Sequence, residues 1–173
     1  MTSEDIMEVA LDLAQLTKIP SDSGIHVRSD SVHEVFATID CDVSDLLLAR
    51  ELKCDTVLTH HPEGTAALNG WRVMRNQIEQ MVECGVPVAK AEAALQRRMQ
   101  QVELNSHARN YGRVVQAAQL LKLGFLNIHV PCDVITRRLI LEKLAPFNDP
   151  KSRATVAEVV AALQEFPEQQ RAA

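Results

Sequence analysis

The chain is poor in the residues that announce the commonest binding modules. Its four cysteines, Cys41, Cys54, Cys84 and Cys132, form no CxxC pair, which excludes a zinc-finger or thioredoxin-like motif. Aromatic residues are 3% of the total, too few for a groove of stacking platforms for single-stranded nucleic acid. Its six glycines compose neither a dinucleotide-binding fingerprint nor a P-loop, and no HExxH occurs. No stretch approaches 18 apolar residues, so no transmembrane helix is expected. The opening MTSEDIMEVALDLAQL carries acids where a secretory signal has basic residues, and it has no unbroken apolar run. A basic excess is also missing: 18 Lys and Arg stand against 23 Asp and Glu, a net charge of −5. This balance argues against a nucleic-acid or membrane-surface binder. Together these readings point to a reduced, cytoplasmic protein.

What is present is ordinary for a globular domain: 46% hydrophobic and 24% charged residues in a chain of 173. At that length roughly 70% of the extended-chain surface can be buried, so a core forms without disulfide or structural metal. Ile6, Val9, Ala10, Leu13 and Leu16 recur at helical spacing behind a cap at Thr2 or Ser3, and Pro20 with SDSG (21–24) stops that helix. A strand is expected over Val32–Asp40. A helix from about Asp42 or Ser44 follows, burying Leu46, Leu47, Ala49 and Leu52. A short strand at Thr56–Thr59 then ends in two histidines. The pattern repeats with a helix over Trp71–Cys84, a third strand at 86–91 and a charged, Gln-rich helix to Leu104. NSHARNYG (105–112) reads as a break, with another helix to Gly124 and a fourth strand at 125–131 after it. Two helices around a Pro150 turn complete the chain, the last near 155–165. Alternation of this kind predicts one α/β domain over 1–173, a mostly parallel β-sheet with helices on both faces. In such sheets ligands bind at the carboxyl ends of the strands. Asp40, the His60–His61 pair, and His129 with Asp133 four positions later converge on that edge.

Each of these groups is open to two readings. Adjacent side chains on a regular strand point to opposite faces, so His60 and His61 reach one centre only if the strand ends there. Pro62 and Gly64 make that ending natural. The pair then reads as metal ligands, imidazole suiting zinc, iron or nickel, or as strand-end histidines engaged in hydrogen bonds. Asp133 can ligate a cation or cap its own helix, and both uses compete for the same oxygens. Asp40 can orient a ligand or serve a turn. His107 reads as a solvated loop residue, and His26 and His33 carry still less functional signal. Cys41 and Cys132 lie near the expected crevice, but a nucleophile needs a lowered pKa and a nearby base that the sequence does not display.

The stretches SDSGIHV (21–27), TIDCDVSDLLLARELKCDTVLTHHPEG (38–64), VPVAKAEAAL (86–95), NYGRVVQAAQLLKLGF (111–125) and HVPCD (129–133) resemble the GTP cyclohydrolase 1 type 2-like family. That resemblance implies an α/β protein with a two-metal centre in a cavity, often assembled as hexameric rings of dimers. It implies metal ligation by His60, His61 and Asp133, with His129 close by, and one or two divalent ions (zinc, iron or manganese) per site. The family's remaining histidine and glutamate ligands come from a C-terminal part that has no counterpart in these 173 residues, so the chain corresponds to the N-terminal part of the pattern. Three readings follow: a metal-binding protein, a divalent-metal-dependent hydrolase acting on a nucleotide or other small molecule, and a non-catalytic oligomeric interaction domain. Glu63 is the carboxylate nearest the histidine pair for a general base, and Asp40 or His129 would orient a ligand from behind.

Overall fold

A computed structural model describes residues 1–108, 110–149 and 153–170. The chain forms two compact units, Met1–Cys132 and Asp133–Ala173. In chain order the elements are α1 (Ser3–Ala14), β1 (Gly24–Val27), β2 (Val35–Thr38), α2 (Val43–Glu51), β3 (Thr56–Thr59), α3 (Gly64–Asn69), α4 (Arg75–Glu83), α5 (Val88–His107), α6 (Arg113–Leu121), β4 (Gly124–Asn127), α7 (Val130–Leu144) and α8 (Val156–Leu163). Short 3-10 turns lie at Gly70–Met74 and Ala145–Phe147.

The first unit is built on a four-stranded sheet in the order β1-β4-β3-β2. β2 and β4 both run parallel to β3, whereas β1 runs antiparallel to β4. The α/β class and the largely parallel sheet expected from the sequence are therefore present. Alternating side chains of the central strands supply two separate cores. Val57 and Phe125 point to one face and pack with Leu46 and Ala49 of α2 and with Val114 and Ala118 of α6. Leu126 and the partly buried Leu58 point to the other, under Met7, Ile6 and Ala10 of α1. Helices thus cover both faces.

The helix starts follow local chemistry. Thr2 caps α1 through a reciprocal box with Asp5, the Asp5 N–H donating to Thr2 Oγ1 at 3.1 Å and the Thr2 N–H to Asp5 Oδ2 at 2.7 Å. Asp42 and Asp45 do the same for α2. The α2 face is narrower than its sequence suggests. Leu46 and Ala49 are buried, but Leu47 and Leu52 are exposed, because only positions three apart meet α6 and the sheet.

Five expectations about elements need correction. Residues 86–91 are not a strand: Pro87 stands at the N-cap of α5, whose AKAEAAL run has strong helix propensity. α5 also continues through Asn105 and Ser106 to His107 rather than breaking at NSH. Gly24–Val27, read as following a helix stop, is the antiparallel edge strand β1. The fourth strand ends at Asn127, and Pro131 lies in the first turn of α7. The helix expected over Trp71–Cys84 is a 3-10 turn followed by α4, with α3 added before it.

In the second unit, Lys143 of α7 pairs with Glu165. Thr155 caps α8 through a box with Glu158, the Thr155 N–H donating to Glu158 Oε2 at 2.7 Å. The Pro150 turn lies outside the described residues. Among the described residues no helix is long and apolar enough to cross a membrane.

Candidate metal centre

The carboxyl ends of the three mutually parallel strands lie side by side, and the chain leaves each of them carrying a polar group. Backbone pairing runs on past the strands: the His60 N–H donates to the Thr38 carbonyl at 3.0 Å and the His61 N–H to Ile39 at 2.9 Å. The Ile128 N–H donates to Thr59 at 3.0 Å. Asp40 follows β2, His60 and His61 follow β3, and His129 follows β4. Directly after the pair the chain turns through Glu63 into α3. Gly64 has φ +53°, and a Cβ there would meet Val115 Cγ2 at 2.9 Å, so a glycine is required.

Three histidines come together at this edge. Ring centroids are 5.2 Å apart for His60 and His61, 4.7 Å for His60 and His129, and 5.9 Å for His61 and His129. One ring nitrogen from each lies within 4.8 Å of the others. Adjacent His60 and His61 share this centre because β3 stops at Thr59, freeing both side chains from strict alternation.

Every one of the three rings is held through Nδ1. His61 Nδ1 lies 2.6 Å from Asp40 Oδ1, His129 Nδ1 lies 2.5 Å from Asp22 Oδ2, and His60 Nδ1 lies 3.2 Å from the Ile128 carbonyl. A carbonyl and an ionised carboxylate only accept, so each Nδ1 carries the proton and donates. The lone pair of the neutral ring then falls on Nε2. Three imidazoles with acceptors behind them are the arrangement that orients histidine toward a metal and raises its basicity. Nitrogens within 4.8 Å of one another lie close to the span of one coordination sphere, at most about 4.2 Å across for metal–nitrogen bonds near 2.1 Å, so a small closing of the rings brings them onto one ion. The donor set is therefore capable of coordinating a metal ion.

The two carboxylates behind the rings differ in setting. The Asp22 side chain is 0% exposed and that of Asp40 is 84% exposed. Asp22 enters just ahead of β1. Because β1 is antiparallel, its beginning pairs with the end of β4, Gly24 opposite Asn127, and Asp22 arrives at the same edge as the histidines. Its backbone carbonyl accepts from Asn127 Nδ2 at 2.7 Å, and the Ser23 hydroxyl accepts from the His129 N–H at 3.0 Å. Asn127, fully buried, also bonds His26 Nε2 at 3.0 Å. Burial holds the His26 imidazolium below its usual range, opposed by that bond. Sequence reasoning missed Asp22, Ser23 and Asn127 in these positions, since SDSG read only as a helix stop. The one available signal was that a chain entering an edge strand antiparallel to its neighbour starts where that neighbour ends.

Asp133 lies in the first turn of α7, exposed, at the start of the second unit. Cys41 is buried beside this edge. Burial, with the negative field of Asp45, Glu63 and Asp42, pushes its thiol up to about 12, which removes it as a nucleophile at neutral pH. His107 is exposed at the end of α5, and His33 bonds Ser31 Oγ at 2.8 Å on the surface.

A cleft of about 820 Å³ opens beside the cluster. His61, His129, Asp22, Asp40 and Glu63 line it, together with Trp71 and Arg113. Its volume suits a small organic molecule.

Comparison with solved structures finds the same fold in the crystal structure of an NIF3 superfamily protein from Sphaerobacter thermophilus. The two are 35% identical with a TM-score of 0.91, over 97% of this chain and 62% of that one. The chain therefore spans 62% of the length of that protein. No family model matches the chain. No curated protein matches it either.

Proposed function

We propose that the chain, which shares the fold of an NIF3 superfamily protein at 35% identity, binds divalent transition metal on His60, His61 and His129. The single observation carrying this is the set of three Nδ1–H donors, each anchored on an oxygen, whose Nε2 lone pairs belong to rings within one coordination span. Asp133 joins as a further ligand in this proposal on the strength of the sequence resemblance. Zinc, iron or manganese, one or two ions per site, fits a histidine and carboxylate donor set.

Hydrolysis of a small molecule, a nucleotide being one candidate, is the activity that best suits such a centre, and the adjoining cleft favours it over a purely non-catalytic role. A bound divalent ion lowers the pKa of a water ligand and polarises a carbonyl or phosphoryl oxygen. The chain's own residues supply the rest. Asp22 and Asp40 fix the rings of His129 and His61, and Glu63, half-buried in the cleft wall, is the carboxylate placed to take a proton from a water there. Self-association and a cytoplasmic location complete the proposal, testable by light scattering and by cell fractionation.

Metal analysis of protein purified without added metal is the deciding experiment. At least one transition-metal equivalent per chain is expected. None, together with unchanged thermal stability on adding zinc, manganese or iron, refutes the proposal. Asp133→Ala tests the fourth ligand separately: occupancy equal to the parent removes Asp133 from the site.

A further inference from the structure

The cleft beside the histidines is asymmetric in its chemistry. One part of its lining is the metal-binding edge with Asp22, Asp40 and Glu63. Other parts come from elements with no role in holding the rings. Trp71 comes from the 3-10 turn, Tyr111 from the α5–α6 connection, and Arg113 is the first residue of α6. Arg113 is exposed and makes no ion pair among the described residues. Its charge is felt by Asp42, whose carboxyl lies below its usual range mainly because Ser44 donates to it, with Arg113 a lesser contributor. Helix stability does not account for Arg113 either. A cation in the first turn sits at the positive end of the helix dipole, where an acid is favoured, and α6 has no acid there.

We infer that this cleft receives a small organic anion, its phosphate or carboxylate held by Arg113 and its body packed against Trp71 and Tyr111. Guanidinium is the side chain best shaped for a planar or tetrahedral oxyanion, which it grips through two parallel N–H donors. The two aromatic rings give the remainder of the molecule an apolar wall. The inference rests on the metal reading above, because three lining carboxylates, Asp22, Asp40 and Glu63, outweigh one Arg113. A divalent ion at the histidines offsets that excess and lets an anion enter, so affinity depends on metal as well as on Arg113.

Trp71 is the only tryptophan in the chain, half-buried in the cleft wall, and provides a direct fluorescence readout. Full-length protein is titrated with phenyl phosphate, phenylacetate and, as a neutral control, benzyl alcohol. Metal content is measured in every sample. The expected result is quenching by one or both anions and not by benzyl alcohol, with the preferred anion distinguishing phosphate from carboxylate. Arg113→Met should weaken that binding about tenfold or more, as loss of a charge-assisted bond does, at unchanged metal content. Arg113→Lys should recover part of it. Equal affinity in parent and Arg113→Met overturns the inference, as does failure of every anion to bind the metal-loaded parent. Loss of metal in Arg113→Met overturns it too, by assigning the arginine to the metal centre. Should the parent hold no metal, the metal reading fails on that measurement alone. The anion titration of the same protein still decides: Arg113-dependent binding then sustains the anion site and overturns the metal's part in it, and absence of binding ends the inference.

Discussion

Replacing Asp22 by alanine isolates the part of the centre that the fold, rather than the motif, supplies. Asp22 is fully buried, and its Oδ2 accepts the His129 Nδ1 proton at 2.5 Å, so no water stands ready to replace it. Asp40 makes a bond of similar length to His61, 2.6 Å, from a side chain that is 84% exposed. Loss of a carboxylate behind a metal-bound imidazole lowers affinity about 10–100-fold, or about 1.4–2.8 kcal/mol. The buried partner should show that full effect. The exposed one should show only about a few-fold, because solvent can accept the His61 proton in its place. Asp22→Asn keeps an acceptor oxygen while removing the charge and should fall between the two. Competition titration against a chromogenic chelator measures the affinities, and far-UV circular dichroism checks that each variant is folded. Equal losses for Asp22→Ala and Asp40→Ala, in folded proteins, would refute the reasoning that burial decides how much each carboxylate contributes.

Three further outcomes follow from the same geometry. His61→Ala should lower metal occupancy while leaving the circular dichroism spectrum unchanged, since His61 is half-exposed and lies beyond the end of β3; unchanged occupancy would take it out of the centre. Cys41, with its thiol pushed up to about 12, should resist alkylation at pH 8 while exposed Cys84 and Cys132 react. Because its folded pKa lies above the ordinary value of 9.0, the folded state retains a proton that the unfolded chain releases, so this contribution is present below pH 9 and lost as pH rises toward 12. Denaturant titrations of the parent and Cys41→Ala across that range measure it, and parallel pH slopes would contradict it. Phe125→Ala, at a fully buried ring between α2 and α6, should cost about 3–5 kcal/mol of stability in urea unfolding; a loss under 1 kcal/mol would mean that this face of the sheet is not packed as described.

Much of the candidate site was legible along the chain. THHPEG marks a strand that stops, and the stop explains how neighbouring histidines serve one centre. Asp40 and His129 were placed at the same edge by the parallel alternation alone. The strand reading was less secure. VPVAKA alternates like a strand but begins a helix, because Pro87 starts a helix well and the alanine-rich residues after it extend one. GIHV has no comparable length of pattern and is nevertheless a strand, because β4 offers it a hydrogen-bonding edge. Four residues carry too little periodicity to outweigh a neighbouring proline and glycine.

By itself, then, the sequence determined the α/β alternation, the capped starts of α1 and α2, and the identity of the paired histidines. Each depends on residues within about one helical turn or one strand of each other, where spacing is a direct record of geometry. Only the tertiary structure decided that β1 runs against β4. That antiparallel pairing brings Asp22 across more than a hundred positions to His129 and buries it there. It likewise decided that Arg113 and Trp71 share a cleft with the histidines. Pairing direction depends on contacts between strands about a hundred positions apart, and no local pattern encodes that.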